Sequence, residues 1–254
     1  MKCKICQSEA AHIKTLKIRK VHNAEYYLCS KCGFMFIDNP TWLGETYNEP
    51  INITDTGYVL RNVYLSRKTL VLFYFLFSTK AIFLDFAGGY GILARLMRDY
   101  GLDFLSDDAY TPNLFMKGFE YKNQKIEAIT CFECFEHLAS PIEEIEKILK
   151  ISKNVFFSTS LLPKETPGDN WEYYGIEHGQ HISFYSLKTL SYIAKKNSVN
   201  VYSNGVNLHL FTEKKMPNWF FKFLLSLTVI QLDLVIRKIL KSKTTEDSIS
   251  LKGI

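Results

Sequence analysis

The chain has 254 residues, 47% hydrophobic and 22% charged, with a formal net charge of +5. That describes a soluble globular protein with one medium domain and a small module, long enough to bury a real core. The start, Met1-Lys-Cys-Lys, has no apolar run of a secretory signal, and six cysteines in three C-x-x-C pairs point to metal or reduced thiols in a cytoplasm rather than disulfides.

The first two pairs, Cys3-x-x-Cys6 and Cys29-x-x-Cys32, are separated by twenty-two residues, and Gly33 follows the second. Four thiolates on two tight turns match a closed, tetrahedral structural zinc site. The intervening TLKIRK and EYYLC read as short strands that form no core alone, so metal binding would supply their folding energy. Lys14, Lys17, Arg19 and Lys20 leave a nucleic-acid grip open beside a structural or substrate-gripping role for this module. Asn39-Pro40 closes it.

Residues 57–79 read as a helical lead-in whose TLVLFYFLF run is buried, too short to span a bilayer. A ladder of three elements follows. IFLDFAGGYG (Ile82 to Gly91) is an apolar strand ending on Asp85 and running into a glycine turn. LSDDAY (Leu105 to Tyr110) is a second strand ending in acid, and AITCFECFEHL (Ala128 to Leu138) a third, ending in Glu136-His137. A glycine turn lets backbone approach a ligand, and an acid at the next strand tip accepts hydrogen bonds from a ribose diol. Asp107 and Asp108 are both candidates for that role. Cys131-x-x-Cys134 lies in the third strand, where alternate residues face opposite ways, and is given no metal.

Further along, Ser140-Pro141-Ile142-Glu143 reads as a capping box that opens a helix, and NVFFSTS (Asn154 to Ser160) as an all-apolar strand of a covered parallel sheet. The long aromatic loop LLPKETPGDNWEYYGIEHGQH, with Trp171, Tyr173 and Tyr174, reads as a substrate lid. Ser186 caps a helix to about Asn197, and VNVYS-Asn204-Gly205-VNLHLFT reads as a hairpin with a two-residue turn. From Asn218 to Leu240 a helix is expected whose charged stripe (Lys222, Ser226, Asp233, Arg237) leaves a broad apolar face for burial. Lys214 to Ile254 holds eight basic and three acidic residues, which accounts for the net excess. It reads as a solvated tail first and a contact with the inner membrane face second.

Asp85, Ala87, Gly89 and Gly91 fall on D-x-G-x-G-x-G with alanine in the first glycine slot. Neither G-x-G-x-x-G nor a P-loop lysine is present. The pattern resembles the class I S-adenosylmethionine-dependent methyltransferases. CFECFEHLASP (Cys131 to Pro141) and GQHISFYSLKTL (Gly179 to Leu190) are similar to two blocks of the subgroup that serves sugar and surface-polysaccharide biosynthesis and carries an N-terminal cysteine-rich module. The resemblance reaches to about Thr212. It implies an α/β fold, a Rossmann-like seven-stranded methyltransferase sheet with a small N-terminal zinc ribbon of four cysteines. The implied division is a zinc ribbon over 1–39, a helical lead-in over 40–80, the methyltransferase domain over 81–213 and a helical, basic tail over 214–254.

S-adenosylmethionine is then the expected cofactor, held by Asp85, Ala87, Gly88, Gly89, Tyr90, Gly91, Asp108, Phe132 and Glu133. Structural zinc is expected on Cys3, Cys6, Cys29 and Cys32. Methylating a sugar hydroxyl or an enolisable carbon also requires removal of a proton, which assigns the base to His137 or His181, ahead of His178, with Glu136 orienting His137. The expected acceptor is a nucleotide-activated sugar or another small glycan precursor, O- and C-methylation both being open. The absence of [DN]-P-P-[FY], where Glu133-Cys-Phe-Glu stands, lowers an RNA methyltransferase reading, and Ala87 is the main argument for a non-catalytic binding protein. A homodimer is left open.

Overall fold

The computed structural model describes residues 1–46 and 55–252; residues 47–54 of the expected lead-in, and the last two of the tail, lie outside the described residues. Strands β1 (Ala11–Ile18) and β2 (His22–Leu28) form an antiparallel hairpin between the two cysteine knuckles, and β3 (Met35–Ile37) pairs with β2. After the short α1 (Leu43–Thr46) come the lead-in helix α2 (Tyr58–Leu76), β4 (Ile82–Phe86), α3 (Ile92–Asp99), β5 (Asp103–Asp107) and β6 (Ala128–Cys131). A 3-10 turn at Phe135–His137 precedes α4 (Pro141–Ile151) and β7 (Val155–Ser158), and a second, Glu172–Tyr174, precedes β8 (Ser183–Phe184). The chain closes with α5 (Leu187–Lys196), β9 (Asn200–Ser203), β10 (Leu208–Thr212), α6 (Asn218–Ser226), α7 (Leu232–Ile239) and α8 (Thr244–Leu251).

Two sheets result, in the orders β1-β2-β3-β8 and β5-β4-β6-β7-β10-β9. In the larger one β4 runs parallel to both β5 and β6, while β9 and β10 are antiparallel. Six strands are described where seven were expected. Beyond β5 the seventh is reduced to a single parallel bridge, Ser106 to Glu120, because residues 112–127 are too few for a crossover helix and a full strand.

The chain divides into two compact units. One comprises Met1–Asn52, Glu133–Lys153 and Phe157–Lys215. Within it Ile18, Tyr26, Ile37 and Trp42 share a buried core with Tyr174, Ile182 and Phe184, so the cysteine module obtains from the 171–184 loop the core its own strands lack. The other comprises Ile53–Phe132, Asn154–Phe156 and Met216–Ile254. Its core includes Phe73 of α2 against Phe83 and Phe104, with ring centroids 5.0 and 6.0 Å apart.

Several local expectations shift. The third strand stops at Cys131, short of Glu136-His137, because Glu133 adopts φ 51° and turns the chain out of extended geometry. Ser140 caps α4 without its side chain, and it is Glu144, not Glu143, that accepts from the Ser140 N–H at 2.9 Å. The β9–β10 turn spans four residues, not two, because Asn204 Oδ1 accepts from the N–H groups of Val206, Asn207 and Leu208. The expected tail helix breaks at Gln231 (φ 59°), and its stripe divides: Lys222 and Ser226 are exposed, but Asp233 is fully buried, with Arg67 bonding both of its oxygens at 2.9 and 3.1 Å. Val229 and Ile230 are exposed instead. No helix of the described residues is long and apolar enough to cross a membrane.

Candidate functional site

The turn after β4 is held by carboxylates at both ends. Asp85 is buried; Thr130 Oγ1 donates to its Oδ1 at 2.7 Å, while Oδ2 has no partner among the described residues. Burial, and then the nearby charge of Asp108, push its pKa up to about 7 against the Thr130 bond. Ala87 sits at φ 55°, the left-handed geometry of the glycine slot it fills, which costs a residue with a Cβ about 1–2 kcal/mol. Gly89 follows at φ 57°, where a Cβ would collide with the Tyr58 hydroxyl. The Gly89 N–H donates to Asp108 Oδ2 at 2.9 Å, and the N–H groups of Tyr110 and Thr111 donate to Oδ1 at 2.9 and 2.7 Å.

Asp108 thus fastens the turn to the end of β5, while Asp107 is exposed at the strand tip. Tyr90 stands edge-on to Tyr58 at 6.4 Å, and Phe132 edge-on to Phe156 at 5.2 Å. Tyr58 was not singled out from the sequence. It opens a helix twenty-four residues before Ile82, and no local pattern links it to the turn.

In the other unit the chain leaves Glu133 through a reciprocal pair. Its N–H donates to Ser158 Oγ at 2.8 Å, and that hydroxyl donates back to Oε1 at 2.6 Å. The 3-10 turn then presents Glu136 and His137. His137 Nδ1 bonds the Gln180 carbonyl at 3.0 Å and His181 Nδ1 the Tyr173 carbonyl at 2.7 Å, with the two rings 5.0 Å apart. Each ring therefore donates from Nδ1 and keeps its Nε2 lone pair. Though each ring keeps a solvent-facing edge, the packing around it lowers the pKa, to about 4 for His137 and about 3 for His181. Both are neutral at pH 7.

His178 lies 4.8 Å from the His181 ring, and its Nδ1 accepts from the Gln180 N–H at 3.1 Å, leaving Nε2 protonated. Glu136 is fully buried, and burial followed by the Glu133 charge raises its pKa to about 8. The site residues thus fall into two groups, with Asp85, Ala87, Gly88, Gly89, Tyr90, Gly91, Asp108 and Phe132 in one unit and Glu133, Glu136, His137 and His181 in the other.

His181 also lines a cleft of about 790 Å³ with Ser160, Asn170, Trp171, Glu172 and Tyr173. The cysteine module holds the loop that forms it. Ile37 N–H donates to the Ile182 carbonyl at 2.9 Å, Arg19 N–H to Ile176 at 2.8 Å and Trp42 Nε1 to Gly179 at 2.7 Å. Lys14 Nζ reaches the Pro167 carbonyl at 2.6 Å and Asp169 at 2.8 Å. At the far end of the module the ligand atoms of Cys3, Cys6, Cys29 and Cys32 lie within 4.8 Å of one another, with Cys3 to Cys32 and Cys6 to Cys29 sulfur separations of 3.5 Å. Those spacings and that donor set fit tetrahedral zinc, whose Zn–S bonds of about 2.3 Å put sulfurs just under 4 Å apart.

Residues 60–204 match a protein family described as "Methyltransferase domain". No curated protein matches the chain. Among solved structures, TnmH is similar at 14% identity and a TM-score of 0.46, over 63% of this chain and 57% of that one. The magnesium protoporphyrin IX methyltransferase of Synechocystis PCC 6803 is similar at 12% and 0.45, over 66% and 92%. The mitomycin 7-O-methyltransferase MmcR is similar at 12% and 0.45, over 67% and 60%. The chain spans little more than half the length of the first of these.

Proposed function

The chain belongs to the methyltransferase-domain family, and from that premise we propose that it methylates a nucleotide-activated sugar or another small precursor of a surface polysaccharide, with S-adenosylmethionine as donor. The observation that carries the donor is the glycine turn. Asp85 Oδ2 is a buried acceptor without a hydrogen-bond donor among the described residues, beside a left-handed Gly89 whose added Cβ would meet the Tyr58 hydroxyl, and this suits a ligand bearing an ammonium group. Bound there, S-adenosylmethionine supplies an activated methyl group on a sulfonium. Asp108 holds the turn in its binding shape and is assigned the ribose, with Tyr90 and Phe132 as apolar neighbours.

The acceptor reading rests on the cleft at His181, which offers an indole face beside the polar groups of Ser160, Asn170 and Glu172, the mixture a hydroxyl-rich ring requires. His137 and His181, neutral with Nε2 unprotonated, are assigned the proton leaving the acceptor; the Gln180 carbonyl orients His137, and Glu136, expected in that role, makes no hydrogen bond to it among the described residues. Cys3, Cys6, Cys29 and Cys32 are assigned one structural zinc whose role is to hold the module that braces the acceptor loop. Lys14 and Arg19 are paired with Asp169 and Glu45, which weighs against a grip on RNA. The test is transfer of labelled methyl from S-adenosylmethionine across a panel of nucleotide sugars and polysaccharide precursors, with structured RNA as the competing substrate. Labelling of a sugar nucleotide that falls at least about a hundredfold in His137→Ala or His181→Ala supports the reading. Labelling of RNA alone would replace it.

A further inference from the structure

Glu136 is fully buried, yet both of its carboxylate oxygens lack a hydrogen-bond partner among the described residues. The hydroxyls beside it are shared: Thr159 Oγ1 and Tyr173 Oη bond one another at 3.1 Å, and Tyr173 Oη accepts from the Ser160 N–H at 3.0 Å, so only one of their two protons is free to turn toward the carboxyl group. An unsatisfied buried carboxylate is among the most destabilising states a core can hold, and proteins relieve it with a proton or a cation. Here the second group stands ready. Glu136, His137 and His181 each offer a ligand atom within 4.8 Å of the others.

Both imidazoles are prepared as metal ligands are. Each donates Nδ1–H to a backbone carbonyl, Gln180 for His137 and Tyr173 for His181, which fixes the tautomer and the ring and leaves Nε2 to coordinate. Glu133, with Oε1 held by Ser158, places a negative charge close to Glu136.

We infer that Glu136, His137 and His181 bind a first-row divalent transition-metal ion. Two nitrogens and one carboxylate suit zinc, manganese, iron or cobalt; magnesium and calcium prefer all-oxygen shells. Three protein ligands leave coordination positions open, and His181 also lines the cleft of about 790 Å³, so an oxygen of a ligand in that cleft can complete the shell. The ion would act as a Lewis acid on an acceptor hydroxyl, lowering its pKa and taking over from free imidazole the task of assisting proton loss. That role rests on the methyltransferase reading; the binding itself does not. The site is separate in ligands and in chemistry from the four cysteines.

The test uses full-length protein with its cysteine module loaded with zinc, titrated with Mn²⁺ and followed by loss of the free-ion electron-spin signal. Co²⁺ absorption and the shift in melting temperature are parallel readouts. Saturable uptake of about one further ion per chain, weakened at least tenfold by Glu136→Gln and by His181→Ala, is expected. Glu136→Gln is nearly isosteric and, like the protonated carboxyl group it replaces, uncharged, so it should melt no lower than the wild type without metal, which separates lost ligation from lost folding. No saturable uptake of Mn²⁺, Co²⁺ or further Zn²⁺ by the wild type, or uptake unchanged in both variants, would overturn the inference. Calorimetry with S-adenosylhomocysteine on the same samples keeps the two claims apart. Cofactor binding without metal uptake fails only the metal site, whereas metal uptake without cofactor binding fails only the functional reading.

Discussion

Asp108→Ala tests how the cofactor turn is held. The carboxylate accepts three backbone N–H bonds, from Gly89 at 2.9 Å and from Tyr110 and Thr111 at 2.9 and 2.7 Å. Tyr110 is exposed and its N–H can return to water, so the loss falls mainly on Gly89, the link between the turn and the end of β5. A hydrogen bond to a charged group contributes about 1.5–3 kcal/mol. Because Asp108 is half-exposed, the lower end applies to the turn alone, and a ribose contact adds to it. Affinity for S-adenosylhomocysteine should fall roughly 10–100-fold, since 1.4 kcal/mol is about tenfold. The assay is isothermal calorimetry beside a thermal melt, with Asp107→Asn as the companion variant. Asp108→Ala should lower both affinity and melting temperature. A normal affinity and melt for Asp108→Ala, with weak binding by Asp107→Asn, would transfer the ribose role to Asp107 and refute the bracing argument.

Metal analysis of protein purified without chelators should find about one zinc on the cysteine module, lost in Cys29→Ser together with cooperative melting of the unit whose core the module shares; zinc retained in that variant would contradict the ligand set. His209 is fully buried, bonded to Ser203 Oγ and to the Thr159 carbonyl at 2.9 Å each, and burial lowers its pKa to about 4. Its folded pKa lies below the unfolded value of about 6.5, so its contribution is complete above pH 6.5 and is lost as pH falls toward 4, by roughly 3 kcal/mol. Urea unfolding of His209→Gln should therefore show a shallower acid slope in that window than the wild type, and an identical slope would show that His209 does not titrate on unfolding. Deleting residues 216–254 strips Asp233 from Arg67 and Asp247 from Arg98, the latter pair buried and bonded at 2.8 and 2.6 Å. Unpairing buried charge costs about 3–5 kcal/mol, so an insoluble or unfolded product is expected. A folded, active truncation that only ceases to pellet with anionic vesicles would give the tail a membrane role instead.

Period and spacing made the sheet legible in the sequence. The apolar run Ile82–Phe86, the turn residues through Gly91 and the hairpin near Asn204-Gly205 all fall on elements of the structure. What the sequence concealed depends on contacts distant along the chain. Tyr58 meets the glycine turn only after α2 has folded, and the buried core that the cysteine module shares with residues 171–184 links segments well over a hundred residues apart. The inward charge of Asp233 could not be read from helical periodicity, because its partner Arg67 lies on another helix. Glu136 and His137 were legible as a pair at a strand end. Their meeting with His181 was not, since a left-handed Glu133 and a 3-10 turn replace the strand that was expected to carry them.

Calorimetric titration of the purified chain with S-adenosylhomocysteine, alongside Gly89→Val, tests the central claim most directly. Saturable binding near one equivalent, abolished by a side chain placed where Gly89 faces the Tyr58 hydroxyl, is the predicted result. No binding by the wild type, or equal binding by Gly89→Val, would contradict the assignment of this turn as the methyl-donor site.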